Sequence, residues 1–328
     1  MNDYVLDVKG LKKYFDLSSG LFRRKRRFLK AVDGVDLTIR KGETLGLAGE
    51  SGCGKSTLGN MIVGLLEPTE GTIWFDGENI AACSPGRRGK KPGIQMIFQD
   101  PYSSLNPRMR ICDIIAEPFI VQGETEQIRS KVLELMDAVG LSRSYARRFP
   151  HEFSGGQRQR IGIARSLALN PKLIVCDEPV SALDVSIQAQ VLNLLKRLQQ
   201  EFSLTYLFIS HGLPGIKYIS ARIAVMYLGR IVETGTKEAL FSHPLHPYTE
   251  GLFRAVPIPD PRFRDRKTGE ILSGDIPKLD ELPEGCRFHT RCRYRTERCL
   301  AEEPGLNEYA PGHSVACHFP LQKGGGLW

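Results

Sequence analysis

Apolar and polar positions in the first 48 residues follow the pattern of β-strands. Residues 4–8 are mostly apolar, residues 31–39 alternate apolar and polar positions, and residues 43–48 run into a glycine-rich loop. A period of two places one side of a strand against a core and the other side toward solvent. The pattern therefore predicts three strands at the N-terminus.

From residue 49 to about residue 235, glycine-rich loops, helical patterns and short apolar runs alternate. Residues 173–176 and 206–209 are compact apolar runs, which are typical of parallel strands covered on both faces. Residues 188–202 carry leucines and a valine at helical spacing. The alternation predicts an α/β domain with a mostly parallel sheet.

The chain changes character after residue 255. Prolines recur at positions 257, 259, 261, 277 and 283, and they exclude long helices. Four of the eight cysteines follow them, at Cys286, Cys292, Cys299 and Cys317. We predict one large domain over residues 1–255 and a small irregular extension over residues 256–328.

The composition indicates a folded protein that works in a reducing compartment. Hydrophobic residues make up 41% of the 328 residues and charged residues 25%, which are ordinary values for a globular chain. No apolar stretch approaches the roughly 20 residues of a membrane-spanning helix, and the N-terminus lacks the pattern of a secretory signal. We therefore expect a cytoplasmic chain that reaches a membrane through partners, in which clustered cysteines favour metal over disulfides.

The formal net charge of +8 is concentrated in two places. Residues 23–27 form one basic run, and five arginines lie between residues 287 and 298. The first run fits either a solvated loop or a contact with anionic lipid headgroups. No RNA-binding or recognition-helix motif accompanies the charge, so no nucleic-acid partner is expected.

A phosphate-binding loop is predicted directly after the third strand. Residues 49–57 read GESGCGKST and fit the pattern G-x-x-x-x-G-K-[ST]. Glycines let successive backbone N–H groups converge on phosphate oxygens at the start of a helix. We expect Lys55 to reach the β- and γ-phosphates of a nucleotide and the Ser56 hydroxyl to ligate Mg²⁺. The candidate nucleotide-binding residues of this loop are Gly49, Ser51, Gly52, Gly54, Lys55, Ser56 and Thr57.

Two adjacent carboxylates follow the apolar run at residues 173–176. Asp177 at the end of a buried strand can hold Mg²⁺ through water. Glu178 is placed to polarise the attacking water as a general base. Together with the phosphate loop, the pair predicts nucleotide hydrolysis.

Residues 153–160, FSGGQRQR, resemble the signature motif of ABC ATPases. In that family two nucleotide-binding domains pack head to tail, and the signature of one closes over the nucleotide of the other. Ser154, Gly155, Gly156 and Gln157 would supply a second anion cradle at a helix N-terminus. The resemblance implies an α/β, ABC-type P-loop ATPase core with N-terminal antiparallel strands and a helical subdomain that carries the signature.

The resemblance extends to positions outside the three motifs. Gln99 matches the glutamine that senses Mg²⁺ and nucleotide, Asp184 belongs to a loop that communicates across the dimer, and His211 matches the switch histidine. Phe15 is the candidate aromatic for stacking on adenine, with Tyr14 as the alternative. Gly212 stands where the family usually has an acid, which weakens a helix cap but removes no catalytic group.

Four further segments resemble the ATPases of dipeptide and oligopeptide importers over nearly the whole chain. They are GESGCG at residues 49–54, DPYSSLNP at 100–107, HPLHPYT at 243–249 and GCRFHTRC at 285–292. Residues 277–279 read Pro-Lys-Leu where the group often has Pro-Ser-Pro, which we interpret as loop variation. The resemblance implies a second homologous ATPase subunit, two transmembrane permease subunits and an extracellular peptide-binding protein, with this chain at the cytoplasmic face of the membrane.

The four C-terminal cysteines lack the short spacings that are usual in zinc fingers. Irregularly spaced thiolates can hold an iron–sulfur cluster, and the resemblance implies a 4Fe–4S cluster at Cys286, Cys292, Cys299 and Cys317. Zinc, and cysteines that are unmetallated or disulfide-linked, remain the alternatives. His289, His313 and His318 are not needed as ligands while four thiols are present.

These features predict the ATP-hydrolysing subunit of an importer of di- and oligopeptides, with ATP, Mg²⁺ and a 4Fe–4S cluster as cofactors. The same ATPase with a nickel, sugar or opine cargo is one alternative. A soluble ABC ATPase that acts on DNA or ribosomes is another. Against this second alternative, the chain holds one nucleotide-binding domain and lacks a long coiled-coil insertion.

Overall fold

The computed structural model describes residues 3–17, 27–81, 93–124, 126–255, 274–275 and 277–322. The basic residues 23–26 and the prolines at 257, 259 and 261 lie outside the described residues. The strands are β1 (Tyr4–Asp16), β2 (Phe28–Arg40), β3 (Thr44–Ala48), β4 (Glu70–Phe75), β5 (Glu78–Asn79), β6 (Ile94–Ile97), β7 (Leu173–Asp177), β8 (Thr205–Ser210), β9 (Arg222–Tyr227), β10 (Arg230–Thr236), β11 (Asn307–Ala310) and β12 (His313–Val315). The α-helices are α1 (Lys55–Ile62), α2 (Ile111–Gln122), α3 (Ile128–Ala138), α4 (Gly155–Leu167), α5 (Val185–Phe202), α6 (Leu213–Ile219), α7 (Lys237–Ser242), α8 (Pro247–Arg254) and α9 (Glu297–Ala301).

The N-terminal strands form a four-stranded antiparallel sheet in the order β2-β1-β4-β5. The prediction of strands around residues 4–8 and 31–39 is confirmed, but both strands are longer than predicted. β1 continues through Lys12 and Lys13 to Asp16 and pairs there with the start of β2. Apolar alternation stops at these lysines because that part of the strand is only partly covered, so the pattern could not mark the end of β1.

A second, mixed sheet has the order β11-β12-β10-β9-β3-β8-β7-β6. The five strands from β9 to β6 run parallel, and β10, β12 and β11 are antiparallel to their neighbours. Every residue of β3, β7 and β8 is buried. The predicted parallel core is therefore confirmed, and its strands bring their carboxyl ends to one edge of the sheet.

Two hydrophobic cores cover the two faces of the mixed sheet. Successive residues of β7 alternate between them, with Leu173 and Val175 in the core beneath the antiparallel sheet and α1, and Ile174 and Cys176 in the core beneath the helices. This alternation follows from the strand geometry, in which neighbouring side chains point to opposite faces. Because both faces bury apolar area, the hydrophobic effect holds the ends of these strands in place.

Helices α2, α3 and α4 form the predicted helical region that carries the signature motif. Ser154 and Gln157 make a capping box at the start of α4. The Ser154 Oγ accepts a hydrogen bond from the Gln157 N–H at 3.4 Å, and the Gln157 Oε1 accepts one from the Ser154 N–H at 3.1 Å. The box satisfies two backbone donors, so the motif begins the helix at a defined residue.

The C-terminal extension contains short regular elements after its prolines. It contributes α9 and the hairpin β11–β12, and β12 pairs with β10 to extend the mixed sheet. The sequence analysis did not predict this short hairpin, because pairing on an open sheet edge cannot be read from a three-residue strand. The domain boundary at residues 255 and 256 stays a prediction, since residues 256–273 lie outside the described part of the chain. No helix among the described residues is long and apolar enough to cross a membrane.

Candidate functional site

The loop between β3 and α1 lines a cavity of about 660 Å³ at the carboxyl edge of the parallel strands. Two of its glycines are required by close backbone contacts. Gly54 has a φ of 108°, and a Cβ there would overlap the carbonyl oxygen of Ala31. A Cβ on Gly49 would overlap the carbonyl oxygen of Met226. The loop is thus clamped between β2 and β9, and only glycine fits at these two positions.

Lys55 is folded over its own loop. Its side chain is buried, and the Nζ donates hydrogen bonds to the carbonyl oxygens of Gly49 at 2.8 Å and Glu50 at 2.7 Å. A buried ammonium group needs such acceptors, because its desolvation would otherwise be costly. The contacts keep the positive charge at the centre of the loop, where it can meet a phosphate.

Ser56 and Asp177 bring two oxygen donors together below the loop. The Ser56 Oγ donates a hydrogen bond to the Asp177 Oδ1 at 3.0 Å. Burial raises the pKa of Asp177, and the neighbouring Glu178 carboxylate acts in the same direction, while the Ser56 hydrogen bond opposes them. A hydroxyl and a carboxylate beside phosphate sites are the donors that Mg²⁺ prefers, so the pair fits that ion.

Three strand ends converge on the carboxylate of Glu178. Its Oε2 lies 2.8 Å from the His211 Nδ1, after β8, and 3.4 Å from the Gln99 Nε2, after β6. Glu178 also has a φ of 46°, an unfavourable region for a residue with a Cβ. Such strain persists only where surrounding contacts fix the backbone, and it is typical of functional sites. The side chains predicted from separate motifs therefore meet at one point.

Phe15 and Tyr14 face different surroundings at the end of β1. Phe15 is about one-third exposed and lines the same cavity as the phosphate loop. The Tyr14 hydroxyl instead donates a hydrogen bond to the Asp33 carboxylate. Of the two candidate aromatics, only Phe15 is among the residues that line this cavity.

The signature residues and Asp184 do not line this cavity. A Cβ on Gly156 would lie 2.5 Å from the Ile187 side chain, and one on Gly155 would lie 3.3 Å from Leu183, so the start of α4 packs on the start of α5. Asp184 is exposed at the N-terminus of α5. Within one chain, the two halves of the predicted site therefore remain apart.

Further residues at the site carried no sequence signal. Leu29, Ala31, Leu252 and Leu279 line the cavity, the last from the C-terminal extension. Apolar residues of this kind are common in any core, so only the fold could single them out. Gly212, in contrast, behaves as the sequence predicts, because α6 begins without a side-chain cap.

The four C-terminal cysteines line one small cavity, together with His246, Phe288 and other aromatic residues. All four are free cysteines in this structure. Burial raises the pKa of Cys286 to about 11 and that of Cys317 to about 12, so the bare thiols stay protonated at neutral pH.

No group of three or more His, Cys, Asp or Glu side chains within the described ranges has the geometry to hold a metal ion. The structure therefore does not support the predicted metal-binding character of the extension. Each of the three nearby histidines has a hydrogen-bond or ion-pair partner on its ring, and His289 and His318 also line the cavity of the cysteines. His289 contacts the Cys286 carbonyl, His313 the Glu233 carboxylate and His318 the Glu302 carbonyl.

Comparison with known proteins gives independent information about the family. Residues 32–181 match the family model described as ABC transporter, and residues 232–299 match the one described as oligopeptide/dipeptide transporter, C-terminal region. A solved dimeric ATP-binding cassette in a post-hydrolysis state, bound to ADP and Pi, has a TM-score of 0.62 and 28% identity. That similarity covers 71% of this chain and 98% of the solved one.

Curated relatives match along almost the entire chain. The oligopeptide transport ATP-binding protein AppF of Bacillus subtilis is 52% identical, over 96% of this chain and 97% of its own length. OppF of Escherichia coli, with the same description, is 50% identical over 95% of each chain. The dipeptide transport ATP-binding protein DppF of Haemophilus influenzae is 46% identical over 96% of this chain and 97% of its own length. The chain therefore belongs to the family of ATP-binding proteins of oligopeptide and dipeptide ABC transporters.

Proposed function

We propose that this chain hydrolyses ATP to drive the import of di- and oligopeptides through partner membrane subunits. The observation that carries the proposal is the cavity where the phosphate loop, Gln99, Glu178 and His211 meet. The family match over residues 232–299 and the names of the relatives support peptides as the cargo.

In this proposal the phosphate loop binds the nucleotide through its backbone N–H groups and Lys55. The helix dipole of α1 adds positive charge at the same place. Ser56, Asp177 and Gln99 would hold Mg²⁺, which supplies charge neutralisation for the phosphates. The donor pair of Ser56 and Asp177 fits that ion, as their separation of 3.0 Å indicates.

Glu178 acts as the general base toward the attacking water. Contacts from His211 and Gln99 to one carboxylate oxygen orient the group and leave its other oxygen available. A carboxylate held in this way accepts a proton as the water oxygen attacks the γ-phosphorus. His211 is more than half exposed, so it can also turn toward the γ-phosphate.

The partner of this chain would be a second, homologous ATPase subunit packed head to tail. The positions of Ser154, Gly155, Gly156, Gln157 and Asp184 outside the chain's own cavity support this arrangement. A heterodimer of this kind would sit at the cytoplasmic face of the membrane, on two permease subunits that receive peptide from an extracellular binding protein. The closed dimer is favoured by ATP and the open one by ADP, which resets the permeases.

Uptake assays test the cargo and the role together. The chain is co-purified with its second ATPase subunit and its membrane subunits, reconstituted into vesicles with enclosed ATP, and supplied with the extracellular binding protein and radiolabelled di- and oligopeptides. Peptide accumulation supports the proposal. Accumulation of nickel, sugars or opines instead would overturn the peptide assignment. Retention on ribosomes or DNA without any membrane subunit would overturn transport itself.

Phe15 is the proposed adenine platform. We expect Phe15→Ala to raise the Kd for ATP about tenfold or more, because a stacked base contributes about 1–3 kcal/mol. Inorganic triphosphate, which has no base, should bind equally well to the variant and the parent chain. Isothermal titration measures both constants. Tyr14→Ala is the matched comparison, because it removes the other candidate ring, and a larger loss there than at Phe15 would reverse the assignment.

For the extension, we propose a 4Fe–4S cluster ligated by Cys286, Cys292, Cys299 and Cys317. The proposal is supported by four free thiols that line one cavity, since thiolates are the ligands that such a group takes. A cluster takes its thiolates at separate corners, so its ligands need not converge on one point as they do around a single ion.

We expect about four irons and four acid-labile sulfides per chain after anaerobic purification, since each cluster holds four of each. Cys292→Ser should remove most of both and abolish the visible absorption of the cluster. Cys112→Ser is the control, because Cys112 is a free cysteine on α2 that does not line the cavity. Stoichiometric zinc, or no metal in the parent chain, would contradict the cluster.

A further inference from the structure

Glu50, in the phosphate loop, is held from three sides. Its N–H donates a hydrogen bond to the Tyr248 hydroxyl at 2.9 Å, and its carbonyl accepts one from the Lys55 Nζ. Its carboxylate accepts two hydrogen bonds from Arg291, 2.8 Å from the Nη1 and 3.1 Å from the Nη2. Two of these three partners lie about 200 residues or more away in the sequence.

The Arg291 contact is a two-pronged ion pair with little solvent around it. The Arg291 side chain is 4% exposed and that of Glu50 is 19% exposed. Bidentate guanidinium–carboxylate pairs fix orientation as well as distance, and they are stronger than pairs in open water. Removing one partner leaves the other charge buried, so the loop would have to rearrange.

Arg291 is itself held by the cysteine-rich part of the extension. It ends the 3-10 turn His289–Arg291, directly before Cys292, and its N–H donates to the Phe288 carbonyl at 3.0 Å. The Cys286 N–H donates to the Cys299 carbonyl at 2.8 Å, which closes the loop beneath the turn. Nearby, Arg287 binds the Asp33 carboxylate and the Leu228 carbonyl, which docks the extension on the nucleotide-binding domain.

Tyr248 is the third residue that holds the phosphate loop, through its hydrogen bond with Glu50. It is fully buried on α8 and packs against Tyr227 and Phe288 at centroid distances of 4.6 and 5.5 Å. Phe288 belongs to the extension, so the same aromatic group supports both Tyr248 and the Arg291 turn. The phosphate loop is therefore held in place by contacts with the C-terminal extension as well as by the strands on either side of it.

We propose that Arg291 is a positioning residue for ATP binding. It holds the phosphate loop through Glu50, so that nucleotide affinity depends on the contact between this loop and the cysteine-rich extension. This inference rests on the proposed ATPase function and assigns the extension a part in it. Arg291 does not line the nucleotide cavity, so its effect passes through Glu50.

The test compares Arg291→Gln, Glu50→Gln and the double variant with the parent chain. Each single substitution should raise the Kd and the KM for ATP about tenfold, which equals about 1.4 kcal/mol, while kcat changes less than twofold. The double variant should be no weaker than the worse single variant, because both changes remove the same contact. Arg291→Lys keeps the positive charge but cannot donate the paired hydrogen bonds of a guanidinium. This variant should recover part of the ATP affinity that Arg291→Gln loses. Adenosine binding should stay unchanged throughout.

Arg293→Gln is the matched control. It removes a neighbouring, half-exposed arginine that pairs with Glu250 and does not contact the loop. If Arg291→Gln lowers only the thermal midpoint, and its Kd and KM equal those of Arg293→Gln, Arg291 is merely structural and the inference is overturned. Additive losses in the double variant would overturn it as well. A parent chain that neither binds nor hydrolyses ATP would instead defeat the proposed function, so the two failures are distinguishable.

Discussion

Glu178→Gln should reduce ATP turnover by about a hundredfold or more and leave ATP bound in a stable closed dimer. General-base catalysis contributes about 10²–10⁴ to a rate, and an amide cannot accept the proton of the attacking water. The substitution keeps the size of the side chain and its hydrogen-bonding oxygen. Gln99 and His211 can therefore still orient it, and ATP binding should remain within a few-fold of the parent.

Phosphate release under saturating MgATP measures the loss of turnover. Retained nucleotide and elution volume on gel filtration report the trapped dimer, with the second ATPase subunit added where it is required. Glu201→Gln is the control, since Glu201 is an exposed carboxylate at the end of α5. Undiminished hydrolysis in the Glu178 variant would remove this residue from the proposed mechanism.

Gly54→Ala should destabilise the chain by about 3 kcal/mol or more and abolish ATP binding, whereas Gly52→Ala should cost only about 1 kcal/mol. Both glycines have positive φ, so both substitutions carry the backbone penalty of a Cβ. At Gly52 nothing lies within 4 Å of the new carbon. At Gly54 the carbon overlaps the Ala31 carbonyl, and a backbone atom inside a paired strand cannot move aside cheaply.

Urea unfolding of both variants and the parent chain gives the two free-energy differences, and titration with ATP gives the binding loss. Comparing two alanine variants within one loop separates the steric overlap from the general cost of replacing glycine. Equal stability of the two variants would contradict the clamp between the loop and β2.

The main chemistry could be predicted because it is encoded locally. Lys55 follows Gly54 within one loop, Glu178 follows Asp177 at the end of an apolar run, and the capping box at Ser154 lies within four residues. Contacts between near neighbours depend little on the rest of the fold. The parallel strands were likewise visible, because burial on both faces leaves an uninterrupted apolar run.

The choice between Phe15 and Tyr14 shows where local information ends. The two residues are adjacent in a strand, and alternation puts one on each face without saying which face meets the nucleotide. The structure pairs Tyr14 with Asp33, which favours Phe15 as the proposed platform, and that contact depends on how β1 and β2 align. The hairpin β11–β12 was missed for a related reason, since its strands are stabilised by an edge more than 70 residues away.

The sequence by itself determined the nucleotide chemistry, the family and the positions of the apolar parallel strands, because each depends on residues close together in the chain. Only the tertiary structure decided that Glu178 meets Gln99 and His211, that the four cysteines share a cavity, and that Arg291 holds Glu50. Those contacts join segments up to 241 residues apart. A sequence pattern carries no signal for them, because which distant residues meet is set by the packing of the whole fold.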